Sequence, residues 1–318
     1  MKANMLNRTH IEGVLYQHSL QKKVTGENSQ KPGTEFITGT IEVATDNAMV
    51  NIVPIHFTYV TAVTSTGKAN SAYTVLNDIV NGSVKSVMDH GKDAATKLRI
   101  DSAIGLNDFY TEREGKVELV SAKRNEGGFI HVANDGINED EKLRNTFEVD
   151  MVITNVRRVE ADEERDLPEK VVIKGAIFDF RKSLLPVEFT AENPHAMDYF
   201  EGLEASASNP VFTKLKGRQI SETIVKKIVE ESAFGEASVR EVKNTRKDFV
   251  ITGASKETYM WDEEGVLTAA EVAEMVAARE TYLATMKQRQ EEYKAQKAAE
   301  AATPAAPAAG GAGMGGMY

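Results

Sequence analysis

Four runs near the start of the chain decide how the fold is read. They are Met5-Leu6-Asn7-Arg8, Ile11-Glu12-Gly13-Val14-Leu15, Phe36-Ile37-Thr38-Gly39-Thr40-Ile41-Glu42-Val43-Ala44-Thr45 and Val50-Asn51-Ile52-Val53-Pro54-Ile55-His56-Phe57-Thr58-Tyr59. Apolar residues recur at every second position through Ile37, Ile41 and Val43, the signature of strands with one buried face. Gly13 and Gly39 interrupt such strands, where glycine marks a bulge or the sharp bend of a small closing barrel. Between the second and third of these runs lies a polar Gly/Pro/Lys loop.

Outward from this core, Ser71 to Val80 places Ala72, Val75, Leu76 and Ile79 at helical spacing and stops at Asn81-Gly82, a good C-terminal cap. Lys97 to Tyr110 and Lys116 to Lys123 read as a hairpin around residues 111–115. Residues 127–145 read as a flexible excursion, and Thr146 to Val159 as an alternating strand expected to close the barrel. The acidic, proline-containing run Glu160 to Glu169 is the expected domain boundary. Beyond it, strands are expected at Lys170 to Phe180, Leu184 to Thr190, Val211 to Ile220 and Asp248 to Thr252, with a helix over Ser221 to Glu231. Thr268-Ala269-Ala270-Glu271 is a capping box opening a long helix. After Thr303 an Ala/Pro/Gly tail has too little apolar surface to fold.

The expected fold is therefore mainly β with α appendages: an OB-fold-like β-barrel domain over 1–159, a second β-rich, OB-like domain over 170–262, a C-terminal helix over 268–302 and a disordered tail over 303–318. No internal repeat is evident in the residues themselves.

The order of elements over about residues 5–124 resembles the single-stranded-DNA-binding protein family, whose bacterial members open with a similar Met-(Leu)-Asn-Arg, a glycine-interrupted strand, a basic loop, two further strands and a helix. The chain also looks like the two-domain single-strand-binding proteins of large bacteriophages. It departs from the bacterial pattern in having a single tryptophan, Trp261, outside the expected barrel, and in ending Gly-Gly-Met-Tyr rather than in an acidic tip. The resemblance implies a sequence-tolerant binder of single-stranded DNA in DNA replication or recombination, the expected partners being replication or recombination proteins and further copies of itself, with a viral origin and a host-cytoplasm location.

Binding a single strand takes cations that follow phosphates and flat groups on which bases stack, each stack contributing about 1–3 kcal/mol. The expected DNA-binding residues are Arg8, Lys22, Lys23, Phe57, Tyr59, Arg99, Tyr110, Arg113, Lys123, Arg124 and Phe129. Phe57 and Tyr59 share one face of a strand if alternation is regular, and that face is either the binding face or the core. Of Phe109 and Tyr110 one should point in, and Tyr110 is expected outside. Lys123-Arg124 with Gly127-Gly128-Phe129 combines charge, flexibility and an aromatic group, a mixture suited to a strand clamp.

The 318 residues carry 38 Lys and Arg against 48 Asp and Glu, a formal charge of −10, so any phosphate-binding surface must come from local clustering. Zero cysteines exclude disulfides, thiolate zinc and a cysteine nucleophile. The six histidines lack metal-ligand spacing, and no Gly-rich loop ends in Gly-Lys-Ser/Thr. Asp101, Asp108 and Glu112 are read as solvated carboxylates rather than a nuclease centre. The expectation is no enzyme, no cofactor, no metal, no membrane span and a cytoplasmic protein. The alternative from another class is a structural or assembly protein of the virion or tail type, whose β domains pack against copies of themselves.

Overall fold

A computed structural model describes residues 5–162, 167–230, 234, 238–261 and 266–302; the expected tail over 303–318 lies outside them. The first run becomes β1 (Asn7–His18), followed by a short β2 (Gln21–Val24) in the basic loop, β3 (Glu35–Ala44) and β4 (Ile52–Thr61). Helix α1 (Ser71–Val80) and a single turn α2 (Val87–His90) lead into β5 (Lys97–Arg113) and β6 (Lys116–Val132). The hairpin and α1 stand where the sequence places them, but residues 127–132 continue β6 instead of leaving the sheet.

Five of these strands close a ring. Antiparallel ladders join β1 to β3, β3 to β4, β1 to β5 and β5 to β6, and a parallel pairing of β4 with β6 completes it. That strand order, with α1 between the third and fourth barrel strands, is the OB topology. Alternation puts Ile11, Leu15, Ile37, Ile41, Ile55, Phe57, Leu98, Ile100 and Ile130 inside, and α1 adds Leu76 and Ile79. Asn70 caps α1 by accepting from the Ala72 N–H. Gly13 permits the tight β1–β3 approach, since a Cβ there would sit 2.1 Å from the Ala44 carbonyl oxygen.

The remaining strands repeat the plan. They are β7 (Asn145–Val159), β8 (Lys170–Phe178), β9 (Leu184–Ala191), β10 (Val211–Glu230) and β11 (Ser238–Ala254), with α3 (Pro194–Gly202) between β9 and β10. Strand β7 pairs with β8 and with β10, β8 with β9, β10 with β11, and β11 returns parallel to β9. This is again the OB order with a helix between strands three and four. The expectation that Phe147 to Val159 closes the first barrel is not met: β7 is the opening strand of the second ring, and its pairing with β1 joins the two rings into one sheet. The expected helix over Ser221 to Glu231 is also replaced, residues 211–230 forming one long strand. Ile220, Thr223, Ile224, Val225, Ile228 and Val229 are all β-branched and favour strand, and the ladder to β11 runs their full length.

The seam between barrels is polar, and its amide groups are hydrogen-bonded except for the buried Asn145 Oδ1. Asn125 of β6 and Gln219 of β10 exchange reciprocal amide hydrogen bonds of 2.7 and 2.9 Å, and Asn145 donates to the Gln219 carbonyl at 2.7 Å. Fixed geometry of this kind holds two rigid bodies in one orientation. The last helix, α4 (Ala269–Ala302), begins with the expected capping box, Thr268 Oγ1 accepting from the Glu271 N–H and Glu271 Oε2 accepting from the Thr268 N–H. It braces the β5–β6 hairpin through the Arg279–Asp108 ion pair at 2.9 Å, both side chains being buried. Among the described residues no helix is long and apolar enough to cross a membrane.

Candidate nucleic-acid interface

Alternation along β4 is regular through Val53, Ile55 and Phe57, which point inward. It then breaks. Between the pairs Gly39↔Phe57 and Ile37↔Val60, β4 carries Thr58 and Tyr59 against the single residue Thr38 of β3, a bulge. Gly39 makes the bend possible: its φ of 133° suits glycine, and a Cβ would fall 2.5 Å from the Ser19 carbonyl oxygen. The extra residue turns Tyr59 outward, 48% exposed, while Phe57 stays in the core at 1%. The two rings therefore do not share a face, and Phe57 offers no surface to a base.

Tyr59 instead meets Phe36, the outward neighbour of buried Ile37 on β3, with ring centroids 4.6 Å apart. Lys23 pairs with Phe36 across the β2–β3 ladder, and Lys22 with Ile37. Both lysines are exposed and make no ion pair among the described residues, and Glu35, opposite Val24, accepts the Tyr73 hydroxyl. Two aromatic rings and Lys23 thus stand together on the outer face of β2–β3–β4, the side that takes ligands in OB folds, while Lys22, opposite inward Ile37, points to the other side of the β2–β3 ladder. Phe36 escaped the sequence reading, although strict alternation from Ile37 and Ile41 marks it as outward.

The other expected residues divide. Arg113 is exposed at the hairpin tip, and Phe129 is 68% exposed on β6. Arg8 is exposed but bonded to Asp101 at 2.9 Å. Arg99 serves the fold: it bonds Glu12 at 2.8 Å and the Gly136 carbonyl at 3.1 Å. Burial alone would raise the Glu12 carboxyl, but hydrogen bonds from the Asn138 N–H, Arg99 and His10 outweigh it and hold the group below its ordinary range. Arg124 is spent on Glu126 at 2.7 Å. Burial, followed by the nearby Arg124 charge, pulls the His56 imidazole below its usual value.

Tyr110 and Phe109 exchange the places expected of them. The Tyr110 hydroxyl donates to the Leu283 carbonyl and its own carbonyl accepts from Gln290, so α4 covers it, whereas Phe109 is 42% exposed. Lys123 departs furthest from a solvated clamp. Its Nζ lies 5.5 and 5.1 Å from the ring centres of Phe189 and Phe249 in the second barrel and donates to the Glu188 carbonyl. Burial pushes its ammonium down to about 8, against the pull of Asp248 and Glu188. Lys123 is a seam residue, and Arg246, one of the basic pair 246–247, is likewise tied to Glu192 and Asp248. Side chains of Lys226 and Lys227 lie outside the described residues.

Among the described residues no group of three or more His, Cys, Asp or Glu is placed to hold a metal ion. The model of the YorF family matches residues 6–289 of this chain. Among solved structures, a deletion mutant of the single-stranded DNA binding protein from Thermus aquaticus aligns over 82% of this chain and 98% of its own, at 9% identity and a TM-score of 0.45. No curated protein matches.

Proposed function

The chain belongs to the YorF family, and from that premise we propose that it binds single-stranded DNA, without reading sequence, along the β2–β3–β4 face of the first barrel. One observation carries the proposal: the outward Phe36–Tyr59 pair with exposed Lys23 opposite Phe36 and exposed Lys22 next to it in the chain. Every base has a π-face, so two stacking platforms bind any sequence, each adding about 1–3 kcal/mol, and the lysines meet the phosphates between them. Ring contacts of this kind need unstacked bases, which a duplex does not present. Within this proposal the protein serves replication or recombination, the processes that expose single strands.

The test is a titration of the protein with oligo-dT at several salt concentrations. Binding is expected at low salt and should weaken with a log–log slope of about 0.7 per phosphate contacted. Absence of binding at low salt removes the proposal and leaves the assembly-protein alternative, which size measurements would then address.

A further inference from the structure

The sheet that joins the barrels carries a second row of nucleic-acid chemistry. Directly opposed residues in a ladder point to one face, and the registers run Phe129↔Asp101, Asp101↔His10, His10↔Thr146 and Thr146↔Arg218 across β6, β5, β1, β7 and β10. The next row runs Arg8↔Glu148 and Glu148↔Lys216. At neighbouring-strand spacing, four steps from Phe129 to Arg218 cover roughly 19 Å. A groove of about 700 Å³ lies on this face, lined by Arg8, His10, Lys142, Lys216 and Arg218 among others.

Apart from Arg8, the cations of this groove differ from most arginines elsewhere in the chain. Among the described residues Lys142, Lys216 and Arg218 form no ion pair, whereas Arg99, Arg124, Arg158, Arg246 and Arg279 are each committed to a carboxylate. The lining acids are Asp140 and Glu148 and Arg8 is held by Asp101 in the same row, so three uncommitted cations stand beside two lining carboxylates there, in a chain whose overall charge is −10. Arg218 also stands near Glu192, whose carboxyl burial raises against the pull of Arg246, and Arg246 already bonds that group. Unpaired cations gathered in a concave surface of an acidic protein concentrate positive potential where a polyanion can lie.

Exposed rings stand between the groove and the first face. Three residues beyond the last parallel pair of β4 and β6, His56↔Glu126, stand Tyr59 on one strand and Phe129 on the other, both exposed. We propose that the same single strand, having stacked on Phe36 and Tyr59, passes over Phe129 and lays its phosphates along the inter-barrel groove on Arg8, Lys142, Lys216 and Arg218. The two-barrel architecture then lengthens the binding site beyond one OB face, and the β1–β7 pairing is what makes the track continuous. This inference rests on the proposed function and adds a second segment to the site.

The experiment compares the wild-type chain with Lys216→Ala/Arg218→Ala and with Phe129→Ala on dT8 and dT30, with thermal unfolding of each variant as a control. One OB face holds about 4–16 nucleotides, so dT8 is served by the β2–β3–β4 face alone. The expected result is unchanged dT8 affinity, about tenfold or greater weakening on dT30 at low salt, and a dT30 salt slope reduced by about 1.4, from two lost phosphate contacts. Phe129→Ala should weaken dT30 and spare dT8. Wild-type affinity and slope on dT30 in a folded double variant would overturn the track. Equal losses on both lengths would also overturn it, by placing the groove within the short site. If the wild-type chain binds neither oligonucleotide, the proposed function itself has failed, a result distinct from both.

Discussion

Replacing Lys123 by Met removes the seam's buried charge and keeps an unbranched apolar stem against Phe189 and Phe249. The ammonium is lowered from 10.5 to about 8, chiefly by burial, which corresponds to roughly 3 kcal/mol at about 1.36 kcal/mol per pH unit. The unfolded chain keeps this proton up to about 10.5 and the folded chain gives it up near 8, so in that window the unfolded state binds more protons and stability rises with pH. Two cation–π contacts, at about 0.5–2 kcal/mol each, offset much of the burial cost while the lysine is charged. At pH 7 Lys123→Met should therefore lie within about 2 kcal/mol of the wild type. Urea unfolding of both proteins from pH 7 to 10.5 isolates the effect, because other titrating groups cancel in the difference. The wild type should gain up to about 3 kcal/mol on the variant across that range. A difference that stays flat with pH would refute the burial argument, and a lower salt slope for DNA in the variant would return Lys123 to the binding path.

Tyr59→Ala and Phe36→Ala should each weaken oligo-dT binding by about 1–3 kcal/mol with the fold intact, whereas Tyr59→Phe, which keeps the ring, should bind as the wild type does; equilibrium titration reads all three. Phe57→Ala should cost about 3–5 kcal/mol of stability in denaturant unfolding, as a core cavity does. Arg279→Ala leaves Asp108 buried without its cation and should cost about 3–5 kcal/mol, seen as earlier melting of α4 by hydrogen exchange. Tyr259→Phe removes the 2.9 Å hydrogen bond to buried Asp150, whose carboxyl burial already raises, and should cost about 1–3 kcal/mol by thermal unfolding.

Much of the first barrel is legible in the sequence because its strands obey period two: Ile11, Leu15, Ile37, Ile41 and Ile55 point inward as alternation requires. Alternation misleads at Tyr59 because the bulge depends on the partner strand and on Gly39, not on residues 57–59 themselves. Lys123 carries no mark of burial, since the rings that enclose it come from β9 and β11. The helix expected over 221–231 rests on the helical spacing of Ile224, Val225, Ile228 and Val229, but all four are β-branched and favour strand. The second OB-like unit is expected from its strands, yet it leaves no sequence repeat, because ladder order, not side-chain identity, is what repeats. The groove cations Lys216 and Arg218 were missed for a related reason: only the β7–β10 ladder brings them beside Arg8 and His10.

The central claim is that a single strand stacks on the Phe36–Tyr59 pair, and photocrosslinking tests it most directly. With 5-iodouracil placed along an oligo-dT strand and the adducts mapped by mass spectrometry, the account predicts crosslinks at Phe36 or Tyr59, lost in Tyr59→Ala and suppressed by high salt. Crosslinks confined to the second barrel, with Phe36 and Tyr59 unmodified at saturating DNA, would contradict it.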